Sequence, residues 1–169
     1  MFPPFVFADH RFIMAALFSY AVNSITAVLS VLCILFSLPL CFGMKAYIVM
    51  SGSMEPVIQT GSVAYVDTGY SGNDAVIGDI IAYKAMDSLV THRVAGETSE
   101  GDLITKGDAN SSVDPVPVAR ENVIGRTVFS VPAVGFLLSG LRGRRLILCI
   151  SLLILLNCFS ALLRSAHDR

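Results

Sequence analysis

Ser51, Gly52 and Ser53 stand in the stretch YIVMSGSMEPVIQTG, residues 47–61, just beyond a long apolar run. A serine hydroxyl is a poor nucleophile until a base takes its proton, and imidazole titrates in the right range to do so near neutrality. The chain has three histidines, and of these only His92 lies in its polar middle, because His10 and His167 stand near the ends. Ser53 and His92 are therefore a chemically sensible nucleophile–base pair, although a lone histidine on a strand also serves as an ordinary structural residue. The stretch TKGDANSSVDP adds Asp108 and Asp114. Either can accept the imidazole N–H, fix its tautomer and stabilise the charged ring. The same Gly, Asn and Asp residues also read as an Asx-type turn, and spacing does not choose between the two aspartates. Lys84 and Lys106 are alternative bases, since a desolvated lysine can activate serine.

Other chemistries lack their residues. There is no GxGxxG or P-loop pattern, and one histidine without a cysteine in the polar segment argues against a zinc hydrolase. Paired-carboxylate sugar chemistry wants an aromatic-lined cleft, and the chain has no tryptophan. Neither a metal nor an organic cofactor is implied. A formal net charge of -1 and a charged fraction of 15% give no sign of a nucleic-acid partner.

The elements that must position these residues are legible in the hydropathy. The chain is 54% hydrophobic, with a mean hydropathy of +0.68, and the apolar residues are clustered. No charged residue occurs from Phe12 to Met44 or from Leu146 to Leu163. About 20 largely apolar residues cross a bilayer, so both runs are candidate spans. Asn23, Ser24 and Thr26 make the start of the first run less apolar and place its span at about residues 21–44. Pro39 can kink that helix without breaking it. The apolar stretch exceeds a cleavable signal core, and its positive flank is thin, so an uncleaved anchor is expected. All four cysteines, Cys33, Cys41, Cys149 and Cys158, lie in the two runs and read as packing residues.

Between the runs, residues 45–141 carry eleven acidic and six basic residues. Short stretches rich in Val, Ile, Thr and Tyr (AYIVM, SVAYVD, DIIAYK, LVTHRVAGET, DLITK) alternate with turns rich in Gly, Asn and Asp. The expectation is a mainly β domain with the strand spacing of a barrel or sandwich. VFSVPAVGFLL, residues 128–138, reads as a final strand and a membrane-facing turn. The basic LRGRR then meets anionic headgroups. The division expected is an interfacial or cytoplasmic segment at 1–20, a membrane helix at 21–44, a catalytic domain at 45–141, a basic patch with a second span at 142–163, and a cytoplasmic tail at 164–169.

SGSMEP, GDIIAYK, THRV and TKGDANSSVD, in that order, resemble type I signal peptidases. The best match is the serine–histidine branch of the endoplasmic reticulum, archaea and some Gram-positive bacteria. The resemblance covers roughly residues 44–136, and it is the order of the boxes that is specific. It implies a compact β core held to the membrane by flanking helices. In its terms Ser53 is the nucleophile, His92 the general base and Asp114 the aspartate of the triad. Ser51 assists the oxyanion, Asp108 supports the site, and Met54 and Pro56 form the floor and turn beside the substrate cleft. In the serine–lysine branch a lysine stands where this chain has His92, which removes most of the case for Lys84 and Lys106. The implied substrates are signal peptides of secretory precursors, with membrane lipid and the translocation machinery as partners, and cleavage on the outer or lumenal face. The positive-inside tendency opposes this placement, because Arg142, Arg144 and Arg145 would then lie outside. The competing reading is a catalytically silent anchored module that binds secretory precursors or a translocation partner.

Overall fold

The computed structural model describes residues 10–86, 88–135 and 144–167. Helix α1 runs over His10–Cys41. It begins earlier than the span expected at 21–44, and it passes through Asn23, Ser24 and Thr26 without a break. The reason is visible in its hydroxyls. Thr26 donates to the carbonyl of Val22 (2.9 Å) and Ser30 to that of Thr26 (2.8 Å), so these polar groups are satisfied within the helix. Its segment Ile13–Cys41 has a mean hydropathy of 2.3 and is the one helix among the described residues long and apolar enough to cross a membrane. Pro39 lies in the last turn, and Gly43 ends the helix in the left-handed region (φ 81°), where glycine has no side chain to clash.

Helix α2 covers Arg144–His167, with its apolar stretch at Ile150–Leu162. It packs on the first half of α1. Ser19 and Ser160 are buried there, Asn157 donates to Thr26 Oγ1 (2.9 Å), and the rings of Phe18 and Phe159 meet edge to face at 6.0 Å. The proposed interfacial segment falls partly outside the described residues, as do the turn after residue 135 and Arg142 of the basic patch.

The β unit is a single six-stranded antiparallel sheet. Its strands are β1 (Met44–Ile48), β2 (Val63–Asp67), β3 (Ile80–Ala85), β4 (Ser88–Glu97), β5 (Leu103–Lys106) and β6 (Val123–Val131), in the spatial order β1-β2-β6-β3-β4-β5. Five strands fall where Val, Ile, Thr and Tyr cluster between turn residues. The sixth begins at Val123, earlier than expected, and pairs with both β2 and β3 in the middle of the sheet. Gly125 explains why this strand is inconspicuous in sequence. A β-carbon there would sit 2.1 Å from the carbonyl oxygen of Asp67, so the strand needs a residue of low β propensity to let its neighbour approach.

Ile81, Tyr83, Val94 and Leu103 of the sheet form an apolar core with Ala75 and Val118 from the connecting segments. On β5 the alternation of period two buries Leu103 and Thr105 and leaves Ile104 and Lys106 half-buried. β4 pairs with β3 over Ser88–Arg93 but with β5 only from Arg93 onward, so residues 88–92 have one free edge among the described residues.

Candidate active site

Ser53 lies in the connection between β1 and β2. That connection is closed by two backbone bonds, Val49 N–H to the Ser62 carbonyl (2.9 Å) and Gly61 N–H to the Val49 carbonyl (2.8 Å). Met54 and Ile58 are buried and pin a helical turn in which Ile58 N–H bonds to the Met54 carbonyl. Glu55 Oε1 accepts from the Thr60 hydroxyl at 2.9 Å and completes the loop. Ser53 is thus held on a turn anchored at both ends and from below.

His92 sits on β4, opposite Ile81 of β3, and is 8% exposed. Its Nε2 is 3.1 Å from Ser53 Oγ. Its Nδ1 is 2.6 Å from Asp114 Oδ2. Asp114 lies in the loop after β5, where its backbone N–H bonds to the Thr105 carbonyl at 2.8 Å. The same Oδ2 accepts from Thr105 Oγ1 (2.6 Å) and from the Tyr83 hydroxyl (3.2 Å). Burial pushes the Asp114 carboxyl up, but bonds from Thr105, His92 and Tyr83, with the charge of His92, outweigh it and hold the group below its ordinary value. Asp114 is therefore a carboxylate at neutral pH.

The other aspartate is placed elsewhere. Asp108 forms a two-pronged pair with Arg93, which donates from Nε (2.8 Å) and Nη2 (2.7 Å) and from Nη1 to the Gly78 carbonyl (2.7 Å). This pair fastens the loop that carries Gly107 and Ala109. Ala109 N–H bonds to the Ser53 carbonyl at 2.9 Å, and a β-carbon on Gly107 would come within 2.6 Å of that oxygen. Asp108 thus reaches the site through backbone, while Asp114 touches the imidazole.

Ser51 is exposed, with its hydroxyl 3.3 Å from that of Ser53. Met54 lines a groove of about 380 Å³ with Ile48, Met50, Ser51 and Ser53 on one side and Leu89, Val90 and His92 on the other. Pro56 is exposed and is not among the residues lining that groove. Lys84 is exposed on β3 and Lys106 half-buried on β5, and among the described residues the Ser53 hydroxyl bonds to Ser51 and His92 and to neither lysine. Tyr83, Arg93 and Thr105 carry no motif that singles them out in the sequence, yet all three bond to the two aspartates. The period-two alternation of β5 was the available signal for Thr105, whereas β3 buries Ile81, Ala82 and Tyr83 in a row and marks no single face.

A hydroxyl in line with an imidazole whose far nitrogen faces a carboxylate can pass a proton from oxygen to nitrogen and bear the resulting charge. With an antiparallel sheet and one long apolar helix among the described residues, the chain is similar to signal peptidases. Known relatives agree with that class. The chain is 38% identical over 99 residues to signal peptidase I W of Bacillus subtilis (strain 168), covering 56% of this chain and 52% of that protein. It is 34% identical over 101 residues to the signal peptidase complex catalytic subunits SEC11 of Fusarium vanettenii and Metarhizium acridum, covering 53% of this chain and 59% of theirs. The chain therefore spans little more than half the length of the curated relatives it matches. No protein-family model matches it.

Proposed function

We propose that this chain is a membrane-anchored serine endopeptidase of the serine–histidine branch that removes signal peptides from exported precursors. The observation that carries the reading is the continuous chain Ser53 Oγ–His92 Nε2, His92 Nδ1–Asp114 Oδ2, at 3.1 and 2.6 Å. The free edge of β4 beside the groove supports it, because an extended peptide can pair with residues 88–92 while its side chains enter the groove alternately.

In the reaction, Ser53 Oγ attacks the carbonyl carbon of the scissile bond and its proton passes to His92 Nε2. The carbonyl oxygen becomes an oxyanion, held by the Ser53 backbone N–H and the Ser51 hydroxyl. Collapse breaks the C–N bond, and His92 gives its proton to the leaving amine. Water then loses a proton to His92 as it attacks the ester, and the breaking C–O bond returns Ser53 to its hydroxyl form. Asp114 stabilises the imidazolium in both halves. Purified full chain in liposomes should cut a membrane-inserted preprotein once, after a small residue, and amino-terminal sequencing of the product locates the cut. No cleavage of any signal-bearing precursor would leave the silent binding module as the better reading.

The membrane placement follows from the same reading. α1 crosses, the β unit lies outside, and α2 returns, with Arg142, Arg144 and Arg145 at outer headgroups. Phe5→Cys, Asn73→Cys and Ala166→Cys, each in a background without the native cysteines, test this with a membrane-impermeant thiol reagent. Only the cysteine at 73, an exposed position, should react in intact cells. Reaction at 166 would mean that α2 does not cross, and protection at 73 would put Ser53 on the wrong face.

A further inference from the structure

Asp114 receives more donors than the imidazole requires. Its Oδ2 faces His92 Nδ1, Thr105 Oγ1 and the Tyr83 hydroxyl, and the last two oxygens are themselves 3.3 Å apart. Thr105 is fully buried and Tyr83 is 5% exposed. Around them the core is Ile81, Val94, Leu103 and Val118. Phenylalanine and valine would fill the same space without a polar atom to satisfy. Buried hydroxyls cost free energy unless bonded, and both of these reach Asp114. The Tyr83 ring also stands edge-on to the His92 ring, with centroids 6.4 Å apart.

We infer that Tyr83 and Thr105 are positioning residues for the His92–Asp114 pair, holding Oδ2 in line with Nδ1 and setting how strongly the carboxylate draws on the imidazole proton. The inference rests on the proposed function, since it assigns these hydroxyls a part in that reaction. An oxygen with two lone pairs cannot take three full donors at once. Thr105 donates to Asp114, and the Tyr83 proton is shared between Asp114 and Thr105 Oγ1. The positive ends of these O–H dipoles point at the carboxylate and weaken its pull on the imidazole. Removing one therefore strengthens that pull, and it also lets burial raise the carboxyl. Both changes push protons onto the pair at higher pH.

The ionisable groups near the pair lie on three elements. β3 contributes Tyr83 itself, and Lys84 lines a cavity of about 410 Å³ together with His92 and Asp114. On β4, Arg93 follows His92 and is engaged by Asp108. Lys106 of β5 forms no ion pair with Asp114 among the described residues.

The test uses the full chain in detergent micelles and the variants Tyr83→Phe, Thr105→Val and Thr105→Ser. The titration midpoint of the coupled pair is read by NMR from the His92 ring signals, assigned with His92→Gln. The acid limb of precursor cleavage gives a second reading of the same pair. In Tyr83→Phe both should move up by about half a pH unit, with kcat/KM down about threefold on the acid side and an unchanged thermal midpoint. Thr105→Val should shift in the same direction, and Thr105→Ser should restore the wild-type position. A midpoint in Tyr83→Phe that stays put or moves down overturns the inference. Failure of the wider reading looks different. Wild-type protein that cuts no precursor, with a midpoint that still shifts in Tyr83→Phe, removes the peptidase assignment and leaves the control of Asp114 standing.

Discussion

Ser53→Ala is expected to lose precursor cleavage by about 10⁶-fold while the protein stays folded and membrane-inserted, because residues of a nucleophile–base unit fail together when one is removed. The hydroxyl makes two contacts, with Ser51 Oγ and His92 Nε2. The turn around it is held by other groups: the Ser53 carbonyl to Ala109 N–H, buried Met54 and Ile58, and Glu55 with Thr60. Deleting one half-exposed oxygen should therefore cost no more than about 1 kcal/mol of stability. Ser51→Ala should be milder, at about 10²–10³-fold, the usual loss for one oxyanion donor. Quantitative cleavage of a membrane-inserted precursor, with thermal melting as the control for folding, separates these outcomes. Normal product formation by Ser53→Ala at wild-type stability would end the nucleophile assignment.

The residues of the candidate site are legible in the sequence as candidates, and what is not legible has physical causes. Ser53 and His92 stood out because the polar segment holds one histidine, but their approach to 3.1 Å is a matter of the fold and not of composition. Asp108 and Asp114 were different. They lie on one loop, both have the chemistry to face an imidazole, and only the packing of Arg93 against Asp108 leaves Asp114 as the carboxylate at Nδ1. Tyr83 and Thr105 depend on strand register, which a slip of one residue would reverse, turning both hydroxyls away from Asp114. In the fold, five strands were legible from clusters of β-branched and aromatic residues. The central strand β6 was only half seen, because its first half contains Gly125, which the close approach of Asp67 requires, and the charged Arg126, neither of them a strong β former. Helix α1 starts at His10, before the expected span, and continues through Thr26, whose hydroxyl is satisfied by the Val22 carbonyl one turn back.

Replacing His92 should be as damaging as replacing Ser53, and the two losses should not add. If His92 is the base, Ser53→Ala and His92→Ala each remove the same nucleophilic step, so the double variant Ser53→Ala/His92→Ala should be no slower than either single variant. What remains in all three is the contribution of groove and oxyanion contacts, which neither substitution touches. The lysines give the contrast. A lysine base must be desolvated and within reach of the hydroxyl. Lys84 is exposed on β3 and pairs across to Leu89, whereas His92 pairs with Ile81 and points its Nε2 at Ser53. Lys84→Ala and Lys106→Ala should therefore keep most of the activity. Rates for the five variants, measured on one precursor under single-turnover conditions, decide the matter. Losses that multiply in the double variant would show that Ser53 and His92 act in separate steps. An active His92→Ala beside an inactive lysine variant would move the base to that lysine, and the 2.6 Å contact between His92 and Asp114 would then be a structural brace between β4 and the loop after β5.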